Sequence, residues 1–149
     1  MFRKFKKWIN FPIAFKLLLF KAVLLSFYYE LVLKLKLFKP IKALHKQKPE
    51  EHDQQYPAIT EEEQIELQYI AKAMKLLEKF APWRPKCYNR AMTAKRLLAS
   101  KNIDARLHIG FRKKEGEFDG HAWITYKGTI VTGYLKILDL FQELKPLHS

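Results

Sequence analysis

The sequence predicts an α+β domain preceded by a helical N-terminal segment. Three features point there. Residues 61–100 place apolar side chains at helical spacing, interrupted once by Pro82 and Pro85. Residues 105–134 alternate apolar and polar side chains around glycine-containing turns. The first 46 residues form a block of their own, rich in Lys and Leu, with Glu30 as the single acidic residue. A chain of 149 residues suits one compact domain or a small domain with an appendage. With 48% of its residues hydrophobic, it has material for a core.

In the N-terminal block, Asn10-Phe11-Pro12 suits a helix start, because proline is tolerated in the first turn. Phe38-Lys39-Pro40 ends or kinks that helix. Leu17, Phe20, Leu24, Phe27, Tyr28 and Leu31 follow helical spacing and mark one apolar stripe. The longest inner run without charge, Ala22 to Tyr29, falls far short of the ~20 apolar residues needed to span a bilayer. Three readings of this helix compete: packing on the domain, peripheral contact with an anionic membrane, or binding of a partner protein.

Residues 47–60 are polar with two prolines and read as a linker to a domain over 61–149. Thr60 followed by Glu63 is a capping box, and the acidic first turn suits the helix dipole. Ile65, Ile70, Ala73, Met74, Leu77 and Phe80 form the expected buried face of that helix. A second helix is expected over 87–100, with Ala91, Ala94, Leu97 and Leu98 inward. Strands follow at 105–111, 121–126 and 129–134. Residues 112–120 are expected to form a hairpin loop, and Lys127-Gly128 a tight turn. The end of the chain, from Leu135, is ambiguous between helix and strand.

Lys and Arg number 28 against 15 acidic residues, a net charge of +13. That balance favours anionic partners without choosing among them. No nucleic-acid motif is present, so none is expected as a partner. The five histidines (45, 52, 108, 121, 148) lack metal-ligand spacing, and neither a metal nor a cofactor is expected. No secretory cleavage site follows the first apolar region, so the expected location is the cytoplasm, with membrane association left open.

One cysteine, Cys87, rules out an intramolecular disulfide. It sits in Pro82-Trp83-Arg84-Pro85-Lys86-Cys87-Tyr88-Asn89-Arg90, at the expected start of a helix. Free N–H groups and the dipole there favour a thiolate, and the same donors suit an oxyanion. His121, in Gly120-His121-Ala122-Trp123, is the candidate base. Taken alone, the pair competes with an inert buried thiol and a histidine satisfied in the core. Trp83 and Trp123 are expected to pack in the core beside the site. Asn89 and Arg90 are expected to be solvated.

The run "APWRPKCYNRAMTAKRLLASKNIDARLHIGFRKKEGEFDGHAWITYKG" carries a family resemblance. It resembles the stand-alone leader peptidase of lasso-peptide biosynthesis, the C-terminal half of the split maturation protein B. Pro82, Trp83, Arg84, Cys87, Ala91, Leu97, Leu98, Ala105, Arg106, Leu107, Ile109, Gly110, His121, Ala122, Trp123 and Gly128 stand in the family's places. The N-terminal basic helix is also similar.

The resemblance implies a transglutaminase-like, papain-related cysteine protease fold. It implies that Cys87 attacks the peptide bond between leader and core of a lasso precursor, with His121 as base and then acid. The implied partners are that precursor peptide, a leader-binding recognition-element protein and a separate ATP-dependent lasso cyclase. ATP belongs to the cyclase alone.

The family's third catalytic residue is usually an Asp on the strand after the His, where Gly133 stands here. A two-residue turn at Lys127-Gly128 puts residue 134 opposite 121, so Thr132 and Tyr134 share the His121 face. Thr132 is one candidate third member. Asp139 is another if the segment folds back. A dyad oriented by a backbone carbonyl is the remaining possibility. Outside this class, the rivals are a basic membrane-surface or partner-binding protein with an inert Cys, and an enzyme that transfers acyl groups to amines.

Overall fold

A computed structural model describes residues 11–37, 39–48, 55–136 and 138–144. Asn10, Phe38 and the part of the linker at 49–54 lie outside them, as do His52 and His148.

Helix α1 runs Ile13–Lys34 behind Pro12, whose fixed φ suits the entry. It stops before the expected Phe38-Lys39-Pro40 exit, because Lys36 adopts a left-handed φ of 55° that no helix continues through. Pro40 instead opens a short helix, α2 (Pro40–His45), at its first turn. Helix α3 (Glu61–Phe80) begins with the expected capping box. The Thr60 hydroxyl accepts from the Glu63 N–H at 3.2 Å, and the Glu63 carboxylate accepts from the Thr60 N–H at 3.0 Å. Helix α4 spans Cys87–Ala99.

Four strands follow: β1 (Arg106–Lys114), β2 (Glu117–Tyr126), β3 (Thr129–Thr132) and β4 (Gln142–Glu143). They form one antiparallel sheet in the order β3-β2-β1-β4. The expected loop over 112–120 is strand on both sides of a turn at Glu115-Gly116, with Arg112 paired to Asp119 and Lys114 to Glu117. His121 is therefore in mid-strand. Lys127-Gly128 is the expected tight turn, with φ of 46° and 74°. The ambiguous C-terminal stretch contains a 3₁₀ turn at Leu138–Leu140 before β4.

Helix α4 is the centre of the molecule. One side packs on β1 and β2, and the other meets α1 and α3. Ala91, Ala94, Leu97 and Leu98 are buried as expected, against Leu107, Ile109, Ala122 and Ile124 of the sheet. From α3 come Leu67, Ile70, Ala73, Met74 and Leu77, whereas Ile65 and Phe80 are exposed. Phe15, Leu18, Leu19 and Ala22 of α1 join the same hydrophobic cluster. Fully burying a Leu- or Phe-sized side chain contributes about 1.5–3 kcal/mol, so α1 is held firmly on the domain. The face it buries is not the apolar stripe marked in the sequence. Leu17, Phe20, Leu24, Phe27, Tyr28 and Leu31 all face outward.

Candidate active site

Pro82 and Pro85 end the helical path of α3, and the chain reverses before α4 begins. Lys86 is the extended N-cap of α4, and its side chain makes no capping bond. The first-turn N–H groups thus lack a side-chain acceptor from the cap, and Cys87 occupies the first helical position among them.

Two residues on, Asn89 is wholly buried. The expectation that it is solvated is overturned. Its carbonyl oxygen accepts from the Ser26 hydroxyl at 2.8 Å, and its amide donates to the Ser26 carbonyl (3.0 Å) and the Glu30 carboxylate (2.9 Å). Thr93 donates to the same Asn89 oxygen, and the Trp83 indole donates to the Ser26 hydroxyl at 3.0 Å. A buried polar group left unpaired is costly, so this set of bonds fixes the start of α4 against α1. Arg90 pairs with Glu78 of α3.

His121 reaches the site from β2, seven per cent exposed. Its imidazole and the Cys87 thiol each act on the other's titration. Its Nε2 donates to the Gly133 carbonyl oxygen at 2.6 Å. That bond places the proton on Nε2 and leaves Nδ1 without one in the neutral ring. Trp123 stacks on the ring at 6.1 Å between centroids and also stacks on His108 at 5.3 Å. His108 is held in turn by Glu143 (2.5 Å) and Thr125 (2.7 Å). Phe141 closes on His121 from a further direction. Trp123 is in the core beside the site as expected.

The third group is neither of the side chains named from the sequence. A register shift between Ile124 and Thr125 pairs Thr132 with Ile124. One residue of slip turns a strand over, so Thr132 leaves the His121 face. Asp139 sits in the 3₁₀ turn and makes no bond to the imidazole. Asp119 is taken by Arg112 at 2.8 Å. The slip brings Gly133, with φ +89°, close against β2. A Cβ there would lie 2.7 Å from the Ala122 oxygen and 2.7 Å from the Trp123 Cβ. A carboxylate side chain has no room at 133, and the backbone carbonyl stands in its place.

The electrostatics favour charge separation between the pair. Burial pushes the Cys87 thiol up, but the bond from His121, the backbone N–H of Ala122, the imidazole charge and the Tyr88 N–H together carry it below its usual value. Burial pushes His121 down, and the bonds to Cys87 and the Gly133 carbonyl more than offset this, so it titrates above its usual value. A thiolate beside an imidazolium is the resulting tendency.

A cavity of about 530 Å³ is lined by Lys86, Tyr88, Ile109 and Phe111 and by Leu33 and Lys34 of α1, and neither Cys87 nor His121 lines it. The Tyr88 hydroxyl lies 2.7 Å from where a Cβ on Gly120 would be, so glycine at 120 leaves the phenol its place. Among the described residues, no group of three His, Cys, Asp or Glu side chains is placed to hold a metal. None of their helices is long and apolar enough to cross a membrane.

The family model described as "Transglutaminase-like superfamily" matches residues 27–146. The chain belongs to the transglutaminase-like superfamily. Its α+β architecture, with the sheet behind the cysteine-bearing helix, accords with that membership. No curated protein and no solved structure matches the chain. The superfamily contains both cysteine peptidases and acyl transferases, and it is usually cysteine-dependent in its catalysis. Here Cys87, at the head of α4, is the only cysteine the chain has for that role.

Proposed function

We propose that this protein is a cysteine peptidase that removes the leader peptide from a ribosomally made lasso-peptide precursor. The observation that carries the catalytic part is the line from the Cys87 thiol through His121 to the Gly133 carbonyl, at the uncapped start of α4. The choice of substrate rests on the resemblance carried by Pro82-Trp83-Arg84, Cys87 and His121-Ala122-Trp123.

In this reading, His121 Nδ1 takes the thiol proton as the sulfur attacks the scissile carbonyl. The Gly133 carbonyl holds the imidazolium that forms. First-turn N–H groups of α4 stabilise the oxyanion. His121 then protonates the leaving amine, which departs as the free N-terminus of the core peptide. Water, deprotonated by His121, hydrolyses the thioester and releases the leader. A separate recognition-element protein presents the leader. A separate ATP-dependent cyclase closes the macrolactam on the freed amine.

The test is mass-spectrometric. Wild type, Cys87→Ala and His121→Ala are incubated with a lasso precursor and its recognition element. Release of leader by the wild type alone supports the reading. Equal release by Cys87→Ala sinks the mechanism. A leader acyl group captured by an added amine, in preference to water, assigns the chain to acyl transfer instead.

A further inference from the structure

Helix α1 carries a second apolar face that the domain does not cover. Ile13, Leu17, Phe20, Leu24, Phe27 and Leu31 are each between 45% and 77% exposed. At 3.6 residues per turn these side chains fall within an arc of roughly 100° and run along a helix about 33 Å long. The same geometry puts Lys16 and Lys34 along one edge of the arc and Lys21 along the other. Lysines in those positions can lay their stems on apolar surface and keep their amino groups at its border.

The charge of the chain is unevenly distributed. Residues 1–49 hold twelve Lys or Arg and one carboxylate, Glu30. Eleven of the thirteen net positive charges therefore fall in this third of the sequence. Glu30 does not face outward with the apolar stripe: it turns to Asn89, with Lys34 beside it at 3.5 Å. The exposed face of α1 thus has hydrocarbon at its centre, ammonium groups at its edges and no acidic residue.

A contact surface for another protein is ordinarily poor in lysine. An anionic lipid surface accepts both parts of this pattern, burying the apolar arc and attracting the cations. Arg3, Lys4, Lys6 and Lys7 add to the same charge in the sequence before the helix. We infer that the exposed face of α1 docks on anionic lipid, with the helix lying in the interface. The inference is independent of the chemistry at Cys87.

The full chain is tested by flotation with vesicles of equimolar phosphatidylglycerol and phosphatidylcholine, and with phosphatidylcholine alone. Wild type is expected to bind the anionic vesicles at least about tenfold more tightly than the neutral ones, and to lose most of that binding in high salt. Phe20→Ser with Leu24→Ser should remove the binding while leaving iodoacetamide labelling of Cys87 unchanged, which reports an intact fold. Lys21→Glu should weaken it several-fold. Flotation of the serine variant equal to wild type overturns the inference. So does the absence of flotation for wild type, whether the chain stays monomeric or forms a dimer that Leu24→Ser dissociates.

Discussion

His121 Nε2 sits 2.6 Å from the Gly133 carbonyl, so the imidazole is oriented by backbone and not by a side chain. The residue at 133 then matters for the space it leaves empty. Gly133→Ala introduces a Cβ into the Ala122 oxygen and the Trp123 Cβ at a φ that disfavours any side chain. It should lower kcat/KM for the proposed leader removal by about a hundredfold, the scale expected for a misplacement of about 1 Å in a catalytic group. Thr132→Val and Asp139→Asn should stay within about threefold of wild type. Steady-state cleavage kinetics on the three variants test this, and an Asp139→Asn defect as deep as that of Gly133→Ala refutes the assignment.

The pH dependence follows from the direction of two shifts. Cys87 lies below its usual value of 9.0, and His121 above its usual 6.5. As pH rises, the thiolate should appear earlier than in a free cysteine. Iodoacetamide should therefore label Cys87 at lower pH than it labels a free cysteine. In His121→Ala the inflection should move up, because burial remains and the bond and charge that opposed it are gone. Labelling rates across a pH series, read by mass spectrometry, measure both inflections. For stability the signs are opposite. The His121 contribution is full below its unfolded value and is lost as pH rises through the raised one. The Cys87 contribution is present above its unfolded value and is lost as pH falls through the lowered one.

Asn89 joins α4 to α1 through Ser26 and Glu30. Asn89→Ala leaves several buried partners unpaired and should destabilise the fold by about 2–4 kcal/mol. Trp83→Phe removes only the indole bond to Ser26 and should cost about 1 kcal/mol. Urea denaturation of the two variants separates these magnitudes.

At the other end of the domain, Thr60→Ala deletes one half of the capping box and should cost about 1 kcal/mol. Glu63 does more than cap, since it also accepts from Lys127 at 2.8 Å and from Tyr126 at 2.7 Å. The bond from Lys127, then those from Thr60 and Tyr126, hold its carboxyl at about 2. Its stabilising contribution is in place above the ordinary carboxylate range and fades only as pH falls toward 2. Glu63→Gln should flatten that part of the acid denaturation profile.

Local pattern made much of this legible in the sequence. The capping box, the start of α4 at Cys87, its buried Ala and Leu positions and the Lys127-Gly128 turn depend on neighbours a few residues apart. The third group at the site depends on a bulge, and nothing in "TIVTGY" distinguishes a regular ladder from one that slips by a residue. The face of α1 was hidden for another reason. A helix apolar all round has no single periodic face, and only the shape of its partner selects Phe15, Leu18, Leu19 and Ala22 over Leu17, Phe20 and Leu24. Asn89 did leave a trace. Asn89, Thr93 and Leu97 recur every four residues, so two polar side chains share the stripe that packs inward. Ser26, one turn after Ala22 in an otherwise apolar run, is the matching trace on α1.

A carbonyl in the place of a side chain changes what heredity must keep. Where a carboxylate orients the histidine, one codon has to specify one acid, and almost any substitution deletes the group. Here every amino acid at position 133 carries the oxygen, and the hazard is the side chain that would come with it. What position 133 must supply is an empty space rather than a functional group.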